Sequence, residues 1–276
     1  MEQRFVISSG GRVTPCIVQE PEYGAPQRIV LGVHGIGGSM CDSIQQSIAE
    51  EMELFGSVSI RFDLPGHGEN EEEIMSLQGC MDTLLAVAEF ALKRYPGLEN
   101  QCIFATGFGA YLALCAMPEL IAMPCRVRLG IQTPSLRMEQ TVLNMAHVSP
   151  VTLEAMELSI LPTPRPLGIF YSFYEEVRDN VALASYPIPF LILHGEFDDY
   201  NPMEDILHLR QLNEQARMVV IPGASHRFQE PGAWDMVHDL TRDWFSFEQV
   251  LLADSISHNL SKRQLSLPFF CAAPAL

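Results

Sequence analysis

Basic residues are scarce in this 276-residue chain: 17 Lys and Arg stand against 34 Asp and Glu, a formal net charge of −17. A surface so short of cations cannot neutralise a phosphate backbone, and it repels anionic lipid heads. Nucleic-acid and membrane partners are therefore not expected. Long apolar runs are also missing; none reaches the roughly 20 residues that a membrane-spanning helix needs. The N-terminus, Met1-Glu2-Gln3-Arg4-Phe5, lacks the apolar region of a secretory signal. Seven cysteines (Cys16, Cys41, Cys80, Cys102, Cys115, Cys125 and Cys271) are scattered without a Cys-x-x-Cys pair or a histidine at ligand spacing. Several sit in apolar runs, as in Gln101-Cys102-Ile103-Phe104. This pattern speaks against a zinc site and for reduced, buried thiols in a reducing compartment. A cytoplasmic protein without metal or other cofactor is expected.

What is present is apolar core. Hydrophobic residues make up 47% of the chain, enough for one large domain. Short apolar runs bounded by Gly and Pro alternate with longer helical patterns, which predicts an α/β fold. Its central sheet should be mostly parallel, with helices on both faces. The predicted strands are Ile29–Val33, Val58–Phe62, Cys102–Ala105, Val127–Ile131, Phe190–His194 and Met218–Ile221, led by a hairpin of Phe5–Ser8 and Cys16–Val18. Most are unbroken apolar runs, as in strands buried on both faces. Helices are predicted near Asp42–Phe55, Leu77–Lys93, Ala110–Met117, Met203–Leu212 and Ala233–Phe247. Residues 134–187, rich in proline, break the alternation and read as a small cap of short helical pieces over the C-terminal edge of the sheet. The expected domain is 1–248. Residues 249–276 read as a tail, poorly ordered or packed on a second copy of the chain through Leu267-Pro268-Phe269-Phe270.

Four segments at strand ends carry chemistry-bearing residues. Val33-His34-Gly35-Ile36-Gly37-Gly38-Ser39 ends a strand in a glycine turn with free N–H groups, without the Lys-Ser/Thr ending of a phosphate loop. Arg61-Phe62-Asp63-Leu64-Pro65-Gly66-His67-Gly68 is a second strand-then-turn, and its His67 reads as structural. Ala105-Thr106-Gly107-Phe108-Gly109-Ala110 has the shape strand, tight turn, helix, with Gly107 at the apex. Thr106 is a poor substitute for an apex side chain, because a one-residue shift changes the side chain's direction. Last come Leu193-His194-Gly195-Glu196-Phe197-Asp198-Asp199 and Pro222-Gly223-Ala224-Ser225-His226. They place a carboxylate and an imidazole after successive strands, Asp198 fitting best and Asp199 second. Such a carboxylate holds one ring nitrogen of His226 and leaves the other as a general base.

In this order the segments resemble the α/β-hydrolase superfamily over roughly residues 27 to 247. The resemblance implies that the N–H groups of Ile36 and Phe108 form an oxyanion hole. It also implies that Asp198 and His226 are the acid and base of a triad, and that Gly107 occupies the serine position of the pattern G-x-S-x-G. The chain looks most like small-cap carboxylesterases of the cinnamoyl/feruloyl type. That likeness implies a small ester or acyl ligand in a pocket under the cap, contacted by Phe170, Phe173 and Tyr174; cap packing accounts for these rings equally well. Among members lacking the serine it resembles the N-myc-downstream-regulated proteins and the neuroligins, which act by binding. Glycine cannot form an acyl-enzyme, so three readings stand. The chain is a pseudoenzyme; or Asp198–His226 acts as a base without a covalent step, as in cofactor-free lyases and oxygenases; or the glycine was introduced into a serine esterase.

Overall fold

The computed structural model describes residues 2–246, so the expected tail and the last residues of the expected domain lie outside the described residues. An antiparallel hairpin, β1 (Glu2–Ser9) and β2 (Arg12–Gln19), opens the chain. There follow β3 (Arg28–Val33), α1 (Ser43–Leu54), β4 (Ser57–Phe62), α2 (Leu77–Arg94) and β5 (Asn100–Thr106). Helices α3 (Phe108–Cys115) and α4 (Met117–Ile121) lead to β6 (Arg126–Gln132). Then come α5 (Met138–Ala146), α6 (Pro150–Met156), β7 (Leu158–Leu161), β8 (Leu167–Phe170) and α7 (Tyr171–Asp179). The chain returns to the sheet with β9 (Phe190–Gly195), α8 (Met203–Leu212), β10 (Arg217–Ile221) and α9 (Ala233–Phe245).

The main sheet has eight strands in the order β1-β2-β4-β3-β5-β6-β9-β10, all parallel from β4 onward. Its central strands β3 and β5 carry continuous apolar runs, Ile29–Val33 and Cys102–Ala105, because alternate residues enter different cores. Ile29, Leu31 and Val33 of β3 face one cluster with Ile103 and Ala105 of β5. Val30, Cys102 and Phe104 face the other, with Ile48 and Met52 of α1 and Val237 and Phe245 of α9. The six described cysteines form no disulfide, and burial pushes the thiol of Cys102 up to about 12. Among the described residues no helix is long and apolar enough to cross a membrane, and no cluster of three or more His, Cys, Asp or Glu is placed to hold a metal.

Two expectations are corrected. The cap segment is not built of helices alone, for β7 and β8 pair as a separate antiparallel sheet. The helical stretch expected over Ala110–Met117 begins at Phe108 and breaks at Ala116, after which α4 starts at Met117 with Pro118 in its first turn.

Candidate functional site

Strand order creates the site. From β3 the chain turns to β4 on one side, while β5 lies on the other. The loops after β3 and β5 therefore part at the C-terminal edge and leave a crevice, the usual ligand position in open α/β sheets. Residues 34–39 and 107–109 occupy it.

The turn after β5 is sharp. Gly107 has φ 52° and ψ −113°, and α3 starts at the next residue. The space beside it is open: a Cβ there would meet only Ser135 Oγ at 3.8 Å and Gly35 Cα at 3.9 Å. Gly109 is the reverse case, since a Cβ would lie 2.5 Å from the carbonyl oxygens of both Val33 and His34. The elbow helix thus presses directly on the end of β3. Among the described residues the N–H groups of Ile36 and Phe108 have no hydrogen-bond acceptor, so both sequence-predicted donors are free. Thr106 is engaged elsewhere, its Oγ1 lying 3.5 Å from Gln45 Nε2.

The carboxylate and imidazole expected to act as acid and base follow β9 and β10. The Asp198 side chain is fully buried, and its Oδ1 accepts the N–H groups of Tyr200 (2.9 Å) and Asn201 (3.0 Å). His226 Nδ1 lies 3.0 Å from Oδ2 and 3.1 Å from Oδ1. Burial alone would raise the Asp198 carboxyl. The hydrogen bond and charge of His226, with the two N–H donors, outweigh it and hold the carboxyl below its usual range. His226 remains 26% exposed at its side chain, with the Tyr200 ring tilted against it at 4.9 Å. Asp199, the second-choice acid, is exposed.

Sequence reasoning missed two neighbours of this pair. Asn201 Nδ2 donates to Thr133 O at 2.9 Å while its backbone N–H donates to Asp198, so Asn201 joins Asp198 to the loop after β6; its amide stands 3.4 Å from His226 Nδ1. The buried His194 places Nδ1 3.8 Å from Asp198 Oδ2, and burial lowers its pKa. Neither stands out in one sequence: an Asn in a polar loop and a His closing an apolar strand have many structural uses.

The turn after β4 is architectural. His34 donates from Nδ1 to Gly35 O (2.8 Å) and accepts at Nε2 from Leu64 N (3.2 Å), which ties the β3 and β4 turns together. His67 donates to Pro65 O at 2.9 Å, with its ring 5.0 Å from that of His34. Asp63 accepts the N–H groups of Met40 and Glu69, each at 2.7 Å. Burial lowers His34 to about 4; burial and the neighbouring His34 lower His67 to about 3.

The cap is seated on this machinery. Phe173 of α7 meets Phe108 edge-on with centroids 5.9 Å apart, and both rings are fully buried. Tyr111 of α3 donates its hydroxyl to Asn180 O at 2.7 Å. The tip of the β7–β8 hairpin reaches the loop after β3, where Thr163 so closely covers Gly37 that a Cβ there would lie 2.3 Å from its Cγ2. Beside it Arg165 donates to Gly68 O at 2.8 Å. A cavity of about 20 Å³ remains there, lined by Gly37, Gly38, His67 and Arg165 among others. That is room for about one water. Of the rings expected to contact a ligand, Phe173 packs on Phe108, Tyr174 stacks on Tyr171 at 5.7 Å, and Phe170 is half-buried.

Sheet order, elbow, and paired acid and base together define an α/β-hydrolase fold. Solved structures agree. Est1E from Butyrivibrio proteoclasticus with ferulic acid bound superposes with a TM-score of 0.77 at 17% identity, over 90% of this chain and 99% of that one. Alpha/beta hydrolase domain-containing protein 10 from mouse gives 0.67 at 18% identity, over 87% and 97%. Dienelactone hydrolase from Anabaena variabilis gives 0.60 at 22%, over 89% and 96%. No protein-family model and no curated protein sequence matches the chain.

Proposed function

We propose that this chain is an acyl-ester-binding protein of hydrolase descent, in which Gly107 holds the nucleophile position and Asp198–His226 persists as a general-base pair. Covalent turnover through residue 107 is then absent, and ester hydrolysis is slow. The observation that carries this reading is the 3.0 Å contact of His226 Nδ1 with a fully buried carboxylate. Such a contact fixes the imidazole's tautomer and leaves Nε2 to take a proton. The free N–H groups of Ile36 and Phe108 supply stabilisation for a developing oxyanion. The ligand class is a small ester or acyl group, and the ferulic acid in Est1E makes an aromatic acyl group a sensible first probe.

The test compares the parent with His226→Ala on an activated aryl ester. The parent should exceed the variant by about 100-fold, the lower range of general-base contributions. Equal rates at background would remove the general-base role. A purely binding protein, a reading the closed seat of the cap favours, would then replace it.

A further inference from the structure

The open space beside Gly107 has a hydroxyl at its border. Ser135 Oγ lies 3.8 Å from the position of a Cβ on Gly107, the nearest side-chain atom outside the two flanking residues. The Ser135 hydroxyl therefore borders the space that an apex serine side chain would enter. Ser135 is 5% exposed, and its N–H donates to Gly107 O at 3.2 Å, which fixes its loop against the elbow.

Two further observations place this loop beside Asp198 and His226. Thr133, two residues earlier, is 2% exposed and holds φ 44°, a costly conformation for a β-branched residue. Its carbonyl accepts the Asn201 amide, which is 3.4 Å from His226 Nδ1. The loop is thus bent into a strained shape and pinned between the glycine elbow and the acid–base pair. Thr106, the other nearby hydroxyl, is directed toward Gln45.

The geometry points to Ser135 as the acyl acceptor of this site, a nucleophile displaced from the elbow to the loop after β6. This rests on the acyl-site reading above. In the step, Ser135 Oγ bonds to the ester carbonyl carbon and its proton passes to His226 Nε2. The tetrahedral adduct then expels the alcohol oxygen, which takes the proton from the imidazole. Water, deprotonated by the same imidazole, cleaves the Ser135 ester and restores the hydroxyl. The step requires one of the staggered χ1 wells of Ser135 to bring its oxygen to a carbonyl carbon held at the N–H groups of Ile36 and Phe108.

The experiment is labelling with a fluorophosphonate, with the adduct mapped by peptide mass spectrometry. The full chain, His226→Ala, Ser135→Ala and Gly107→Ser are compared. A slow adduct on Ser135 in the parent, lost in Ser135→Ala and slowed about 100-fold in His226→Ala, is expected. Mapping on the parent does not depend on any variant folding. An adduct at position 107 in Gly107→Ser with none in the parent would overturn the role of Ser135 while leaving the acyl site standing. A parent adduct on another residue, or one retained in Ser135→Ala, would also overturn it. Failure of both parent and Gly107→Ser to react would overturn the acyl site itself, and Ser135 with it.

Discussion

Glycines two residues apart at the elbow have opposite reasons to be glycine. At Gly109 the neighbouring carbonyls leave no room, so Gly109→Ala should cost about 3 kcal/mol or more, read by urea unfolding. At Gly107 the space is open and only φ resists, so Gly107→Ser should lose about 1–3 kcal/mol. The same change should raise hydrolysis of an aryl acetate by about 100-fold or more, because loss of such a nucleophile costs up to about a millionfold. An unchanged rate in a folded Gly107→Ser would mean that the oxyanion donors or the base are misplaced. The residues that specify this site differ in how openly they declare themselves. Gly107, Asp198 and His226 follow apolar strands at fixed offsets, so the strand-end turns that carry them could be read directly. Ser135 and Asn201 could not, because their positions depend on the backbone bend at Thr133 and on a hydrogen bond between residues 68 apart in sequence.

The main strands were readable because burial on both faces leaves an unbroken apolar run closed by glycine or proline. The cap hairpin was not. Its strands are four residues long, Leu158 and Ile160 point outward, and three prolines between Leu161 and Leu167 read as loop. Only pairing between the two made them strands. Phe173 lies at the join between cap and elbow helix, and its ring is enclosed by Phe108. Phe173→Ala should therefore destabilise the protein by roughly 3–5 kcal/mol in thermal or urea unfolding. A ring that served only to touch ligand would leave stability unchanged and weaken binding alone.

The whole molecule carries a dependence on pH that is independent of catalysis. His34 and His67 accept protons only at about 4 and about 3 when folded, against about 6.5 in an unfolded chain. Stability should be complete above that upper value and fall as acid is added, since only the unfolded chain then gains protons. At about pH 5 each imidazole should have removed about 2 kcal/mol, measured as a lower urea midpoint than at about pH 7. Asp198, depressed by His226, adds to the loss once the pH enters the carboxylate range. A flat profile between these pH values would contradict the burial of the histidine pair. Amide hydrogen exchange should meanwhile find the cap less protected than the sheet, with α6 and β7 opening before β3, β5 and β6. The reason lies in the register: β6 and β9, the strands on either side of the cap, are hydrogen-bonded to each other from Leu129↔Phe190 to Gln132↔Leu193. The chain leaves the sheet and rejoins it at adjacent places, and the cap lends no strand to it. In evolutionary terms the cap is a cassette. Insertions, deletions or wholesale exchange between these two strands can alter what the crevice admits while every ladder bond, and the acid–base pair mounted on it, stays where it is.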